Sequence, residues 1–434
     1  MKIGIIGAGV SGLVAAYNLY EQSQITLFEA NAYAGGHVNT VEVEMGGVRY
    51  AVDTGFIVFN EATYPHFSAL LDELGVPSSP TSMSFSVVDA ATGYEYGSQT
   101  LAALFAQPRN IANRGHWRML ADIIRFNRIA LVEFATLTDE MTVEQFCRRH
   151  QLSRQFVEHY LYPMGSAIWS CPRGTFQNFP VKFIVQFFHQ HGLLALRNRP
   201  QWRVVDGGAR TYVKAITRRF QDRLRLGVAV RQVTRGPGHV TLTLEGGESE
   251  RFDHVIFACH SDQALRILGN DATATERELL SAFPYQKNRA VLHTDESLLP
   301  RSPRAWASWN YRLHAEDAAT VTYNMNMLQG IRSPRTFCVT LNDTGEIDPS
   351  TVLRTFDYAH PVFTTGRTAA QARHDELVNA NRTSFCGAYW RNGFHEDGVA
   401  SALAVVEALR GDSVVLNRRP PASVEGSLVG EQRR

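Results

Sequence analysis

A chain of 434 residues, 44% hydrophobic and 20% charged, has the balance of a globular protein and more length than one core usually organises, which predicts two joined domains. Its formal net charge of +1 makes no electrostatic case for nucleic acid, and only four of its 43 basic residues are lysine. Its five scattered cysteines (Cys147, Cys171, Cys259, Cys338, Cys386) contain no CxxC pair, which argues against a disulfide framework or a metal site.

Lys2 to Ile6 reads as a buried strand, followed at once by Gly7-Ala8-Gly9-Val10-Ser11-Gly12 and an alanine-rich helix. A second strand, Ile25 to Phe28, ends on Glu29, 22 residues after Gly7. Strand, glycine turn, helix and acidic residue together form a dinucleotide fingerprint in its required context. Gly7 makes the tight turn, Gly9 lets the backbone approach a pyrophosphate, and Gly12 allows close helix–strand packing. The helix start at Val10 and Ser11 offers N–H groups to phosphate, and Glu29 can accept from ribose hydroxyls. After Ala30 comes a second glycine pair, Gly35-Gly36, then His37 and Thr40, and soon Val52-Asp53-Thr54-Gly55-Phe56-Ile57.

Residues 61 to about 200 read as mainly helical, with Thr142 and Gln145 forming a capping box. Within them, Lys182 to Leu194 is unusually apolar and suits either a core helix or the wall of an acyl tunnel. From Arg114 to Phe134, Arg114, Arg118, Arg125 and Arg128 share one helical face, opposite an apolar set including Leu120, Ile123, Ile124 and Leu131. That pattern suits a solvated helix face, or a helix lying on anionic lipid.

A helix is predicted over Thr211 to Phe220, and strands over Val228 to Val233, Val240 to Leu244 and Phe252 to Ala258, with Gly236-Pro237-Gly238 and Gly246-Gly247 as hairpin turns. Asp271 to Asn379 alternates like sheet. Ser384 to Val399 reads as a strand, an aromatic loop and the start of a helix running from Ala400 to Arg410. A helix N-terminus at Gly398 and Val399 would stabilise a neighbouring negative charge, while Glu396 and Asp397 can cap it. The last residues, from Asn417, lack apolar periodicity and predict a loose tail. No run of about 18 apolar residues is present, and the first strand begins at once, so the expectation is a cytoplasmic protein, with membrane association through the arginine-faced helix.

GAGVSGLVAAYNL, Glu29-Ala30, Gly-Gly-His and Asp53-Thr-Gly, with the closing motif at 384–399, resemble the flavin amine oxidase superfamily. The resemblance implies noncovalent FAD and an α/β fold in which a Rossmann-like FAD-binding domain (1–60, 201–270 and 380–412) interleaves with an α+β substrate domain (61–200 and 271–379), followed by a tail (413–434). It places Gly36 and His37 near phosphate or the flavin edge, Thr54 to Ile57 beside the isoalloxazine, Val230 under the adenine, and Gly387, Phe394, Glu396, Asp397, Gly398 and Val399 at the flavin. Phe394 stands where monoamine oxidases carry a tyrosine. Lys287 sits in a strand-like setting similar to that of the lysine many members place beside flavin N5.

A narrower set of segments, among them VDTGFIVFN, WRVVDGG and FCGAYWRNGFHEDG, resembles bacterial FAD-binding oxidoreductases associated with cyclopropane-fatty-acyl-phospholipid synthases, and flavin-dependent fatty acid desaturases and isomerases. This implies a fatty acyl or other apolar substrate and a methyltransferase of the cyclopropane-synthase kind as partner. Amine oxidation and carotenoid- or squalene-type desaturation are the alternatives, with a non-catalytic flavoprotein partner as a different class. The candidate acid–base groups are Lys287, His395 and Tyr160, followed by His293 and Tyr162.

Overall fold

Five short strands lie parallel in the order Leu224–Leu226, Gln24–Glu29, Lys2–Ile6, His254–Phe257 and Thr383–Phe385. They form the central sheet of a computed structural model that describes residues 1–195, 199–314, 319–362, 364 and 366–411. A parallel sheet must be covered on both faces, and its strands are accordingly apolar with little alternation. On one face Ile3, Ile5, Leu27 and Ile256 pack against the helices Val10–Leu19 and His395–Arg410. On the other, Ile6, Phe28, Val255 and Phe257 pack against an antiparallel meander of Val230–Gly236, His239–Leu244 and Ser249–Phe252.

The predicted strand over Phe252 to Ala258 is two strands that belong to different sheets. Asp253 is the switch: its N–H donates to the Lys2 carbonyl at 2.8 Å, and its carboxylate accepts the Lys2 N–H at 2.7 Å. The meander is thereby turned straight into the centre of the parallel sheet.

A second, seven-stranded sheet runs Val352–Pro361, Tyr285–His293, Cys338–Leu341, Ala319–Asn324, Trp309–Leu313, Phe85–Asp89, Glu95–Gly97. Only the Trp309–Leu313 and Phe85–Asp89 pair is parallel. The segment expected to be mainly helical thus supplies two strands of this sheet. Gly93, at φ +66°, turns the chain between them, so that Ser86 pairs with Gly97. The helices Arg114–Glu133, Val143–Arg149, Tyr162–Trp169 and Val181–Gln190 share one core with this sheet. The apolar run at 182–194 is a core helix, with Val181, Ile184, Val185, Phe187 and Phe188 buried. The Thr142–Gln145 capping box forms as predicted.

The closing helix begins at His395, five residues before the expected start, and ends at Gly411 in the left-handed region. The predicted loose tail lies outside the described residues. Among the described residues, no helix is long and apolar enough to cross a membrane.

Asp53 ties three distant pieces of chain together. Fully buried, it accepts from the Thr40 hydroxyl at 2.5 Å, the Ala209 N–H at 3.0 Å and the Gln329 side-chain amide at 3.0 Å. Gly208 makes this approach possible, since a Cβ there would stand 2.5 Å from Thr40 and 3.1 Å from the Asp53 carboxylate. Replacing Asp53 with alanine leaves the buried Ala209 N–H without its acceptor. Asp53→Ala is expected to lower unfolding stability by about 2–4 kcal/mol in a denaturant titration, with Asp53→Asn costing about half as much. A loss below about 0.5 kcal/mol would contradict this role.

Candidate active site

The carboxyl ends of parallel strands are where such sheets bind ligands, and here the chain concentrates its glycines there. Gly7 follows the first strand at φ +103°, and its N–H donates to the Phe28 carbonyl at 2.8 Å. Gly12 admits no side chain, because a Cβ would lie 1.9 Å from the Gly7 carbonyl oxygen. Gly9 has open space in front of it, with nothing within 4 Å of a Cβ position. The second glycine pair is fastened alongside: Gly35 N–H donates to the Ala8 carbonyl at 2.8 Å, and a Cβ on Gly36 would sit 3.2 Å from Gly9 Cα.

The first turn of helix Val10–Leu19 has no side-chain cap and no acidic residue. Its leading N–H groups and the positive end of its dipole therefore face the open side of Gly9. Glu29 closes the far end of the cradle. Its Oε2 accepts from Ala8 N–H at 2.8 Å, and its Oε1 from the Asn31 N–H at 2.9 Å and side-chain amide at 2.8 Å, which leaves a lone pair on Oε2 for a ribose hydroxyl. The meander strand carrying Val230 is anchored beside it, since Val228 N–H donates to the Glu29 carbonyl at 2.9 Å.

Thr54 to Ile57 runs against the residues after the glycine pair. Phe56 N–H donates to the His37 carbonyl at 2.9 Å, and a Cβ on Gly55 would lie 2.1 Å from that same oxygen. Thr54 Oγ1 meets the Tyr358 hydroxyl at 2.9 Å. The closing helix then abuts the first: Ser11 Oγ donates to the Gly398 carbonyl at 2.9 Å, and a Cβ on Gly398 would stand 2.6 Å from Val10. Asp397 caps its own helix by accepting the Phe394 N–H at 2.8 Å. Glu396 caps a different one, accepting the N–H groups of His66 and Phe67 at 3.0 and 2.9 Å at the start of helix Pro65–Leu74. Burial nevertheless raises both carboxyls, to about 7 for Glu396 and about 6 for Asp397.

Sequence reasoning missed the histidines gathered at His37. His260 lies 5.8 Å and His360 5.2 Å from it, ring to ring, and Tyr358 stacks on it at 5.1 Å. Burial, then mutual repulsion, holds His37 and His260 at about 4 and His360 at about 3, so all three are neutral near pH 7. His37 Nε2 is buried without a hydrogen-bond partner among the described residues. His260 could have been found from its place directly after a parallel strand; His360 carried no such signal.

His395 is engaged structurally. Its Nε2 meets the Tyr212 hydroxyl at 2.7 Å, and its ring stacks on Phe56 at 3.8 Å. Lys287 requires a correction: it is exposed, whereas its neighbour Asn288 is buried and bonded to His360 Nδ1 at 2.8 Å. The strand therefore turns an amide, not an amine, toward the histidines. Tyr160 packs on Phe156 in the helical layer at 5.5 Å, with burial pushing its hydroxyl up to about 12. His293 is buried with both nitrogens engaged, Nε2 with Thr340 at 2.7 Å and Nδ1 with the Asp295 N–H at 3.1 Å. Tyr162 is likewise buried in the core beneath.

A bare, glycine-lined helix start, an acidic residue with one oxygen still able to accept, and an orphaned imidazole nitrogen fit a dinucleotide whose second half is a flavin. The fold and cradle define an FAD-dependent oxidoreductase. Residues 10–295 match the flavin-containing amine oxidoreductase family, and the chain belongs to that family. It is 37% identical over 96 residues to 1-hydroxycarotenoid 3,4-desaturase of Flavobacterium sp. (strain P99-3), a match spanning 22% of this chain and 18% of that protein. Cyclohexylamine oxidase from Brevibacterium oxydans IH-35A shares the fold, with a TM-score of 0.66, 17% identity, and coverage of 94% of this chain and 99% of that one. So does a CLA-producing fatty acid isomerase from P. acnes, with a TM-score of 0.66, 13% identity, and coverage of 94% and 98%.

The titrations have a consequence for stability. His37, His191, His254, His260, His293, His360, His374 and His395 all sit at about 3 or 4 in the folded chain, against an ordinary 6.5. Between about pH 4 and 6.5 the unfolded chain binds the extra protons, so stability rises with pH there. Asp53, raised to about 7, acts oppositely together with Glu396 and Asp397, but these are three groups against eight. Thermal stability is expected to fall as pH drops from 6.5 to 4, by about 1.4 kcal/mol per pH unit for each net proton. A Tm that is flat or rising over that range contradicts the buried neutral histidines.

Proposed function

We propose that this FAD-dependent oxidoreductase acts on an apolar chain, desaturating or isomerising an unsaturated or methyl-branched fatty acyl group. The observation that carries the reading is the stack of Phe187 on Phe394, with ring centroids 4.8 Å apart and planes 21° apart. It joins the apolar helix Val181–Gln190 to the N-cap residue of the closing helix His395–Arg410. His191 stacks on Phe187 at 3.8 Å and on Trp202 at 6.2 Å, extending the wall.

Such a wall excludes water and holds a hydrocarbon by dispersion and burial. Phe394 offers a cationic amine only its ring face, with no hydroxyl. His191 Nδ1 donates to the Phe187 carbonyl at 3.0 Å, which leaves Nε2 as an acceptor among the rings. In this reading that nitrogen takes the proton lost from the carbon next to the one oxidised. FAD supplies the two-electron acceptor when bound. The carotenoid desaturase among the relatives and the fatty acid isomerase among the structural neighbours support a hydrocarbon substrate.

The test is anaerobic: the yellow protein is mixed with unsaturated or branched acyl phospholipid, and separately with amines, while the flavin band is followed. Bleaching by the lipid with a new double bond in the recovered chain is the desaturation outcome. A shifted double bond without lasting bleaching is the isomerisation outcome. Bleaching by amines alone overturns the reading.

A further inference from the structure

We propose that the helix Arg114–Glu133 docks the protein on the surface of an anionic phospholipid bilayer. Ten large hydrophobic side chains are exposed among the described residues, and five of them fall between residues 101 and 132: Leu101, Ile111, Trp117, Ile124 and Val132. Trp117 is 52% exposed and Val132 69%. On the helix, Arg114, Trp117, Arg118, Ala121, Ile124, Arg125, Arg128 and Val132 are all exposed, and at 100° per residue they fall within a single stripe about a third of the circumference wide. Expectation and structure differ here in one respect: Ile124 lies outward with the arginines, while Leu120, Ile123 and Leu131 pack toward the core.

Arg118 and Arg125 pair with the buried Asp122 at 3.3 and 3.9 Å, whereas Arg114 and Arg128 make no ion pair among the described residues, and Trp117, Ile124 and Val132 stay exposed. Met119, Phe126 and Ala130 already fill the helix's buried side. Trp117 donates its indole N–H to the Ile111 carbonyl at 2.8 Å and lies against Phe105 at 5.2 Å, so the indole is braced at the surface and links the helix to the exposed Leu101 and Ile111 segments. From residue 98 to 132 the chain holds five arginines and one acid. That acid, Asp122, is buried, and accepts from the Ser153 N–H at 2.9 Å and from Arg118 at 3.3 Å. Glu133, at the helix end, pairs with His150. The exposed face is therefore strongly positive in a chain whose net charge is only +1.

Charge complementarity selects the occupant. Arginine stems and an indole belong at the level of lipid headgroups, with guanidinium groups on phosphate and Ile124, Val132 and Leu101 reaching the acyl boundary. A neutral surface would answer only the apolar half of the face, and nucleic acid only the basic half.

The test uses the full-length FAD-bound protein and vesicles of phosphatidylglycerol mixed with phosphatidylcholine, or of phosphatidylcholine alone. Sedimentation with the anionic vesicles only, weakening as salt rises, is expected. Arg114→Gln/Arg128→Gln should lower the vesicle affinity roughly 25-fold, about fivefold per arginine, and Trp117→Ser/Ile124→Ser should lower it further while flavin content stays unchanged. Equal binding to both vesicle types, no binding, or arginine variants that bind like the parent would each overturn the proposal. So would self-association in solution that Trp117→Ser abolishes, because the face would then be occupied by a second copy. Flavin bleaching by acyl substrate in detergent should not respond to these variants, so docking and the substrate reading stand or fall separately.

Discussion

Three helix amino ends converge in the core of this protein, and only one of them is left bare. Helix Pro65–Leu74 is capped by Glu396, and helix His395–Arg410 by Asp397, both carboxylates coming from the first turn of the latter helix. The start of Val10–Leu19 is held against the closing helix by Ser11 and Gly398 but receives no side chain of its own. Each amino end carries about half a positive charge, so bringing them together is costly unless negative charge is supplied. Two carboxylates supply it within the chain, and the third end is free for the pyrophosphate of FAD.

This constraint orders the rest of the site. Because Phe394 caps the closing helix and His395 and Glu396 begin it, fixing the helix ends also fixes the aromatic wall. Phe394 meets Phe187, while His395 is locked between Tyr212 and Phe56. The neutral histidines around His37 border the same region without adding charge, so the electrostatics there are set by the helix ends and the two carboxyls that cap them.

The cradle was legible in the sequence because its demands are local. Gly7, Gly12 and Glu29 are required by turn, contact and reach within thirty residues of chain. The role of Glu396 was not legible, since the helix it caps lies 330 positions earlier. Lys287 was misplaced although a signal existed. Lys287 and Arg289 share one strand parity and Asn288 and Ala290 the other, and the basic pair marks the outward face. The helical reading of 61–200 lost three strands, because Ser78–Thr81 pairs with Trp202–Val205 and the Phe85–Gly97 hairpin with Trp309–Leu313, partners no local pattern announces.

The central claim is that the bare amino end of Val10–Leu19 anchors the cofactor through its pyrophosphate. It is tested most directly by titrating deflavinated protein with FAD and with riboflavin, which carries the same ring without phosphate. The account predicts tight binding of FAD and an affinity for riboflavin lower by roughly a thousandfold or more, of the order expected for losing several charge-assisted hydrogen bonds. Comparable affinities for the two would contradict it, and would mean that the ring pocket, not the helix end, holds the flavin.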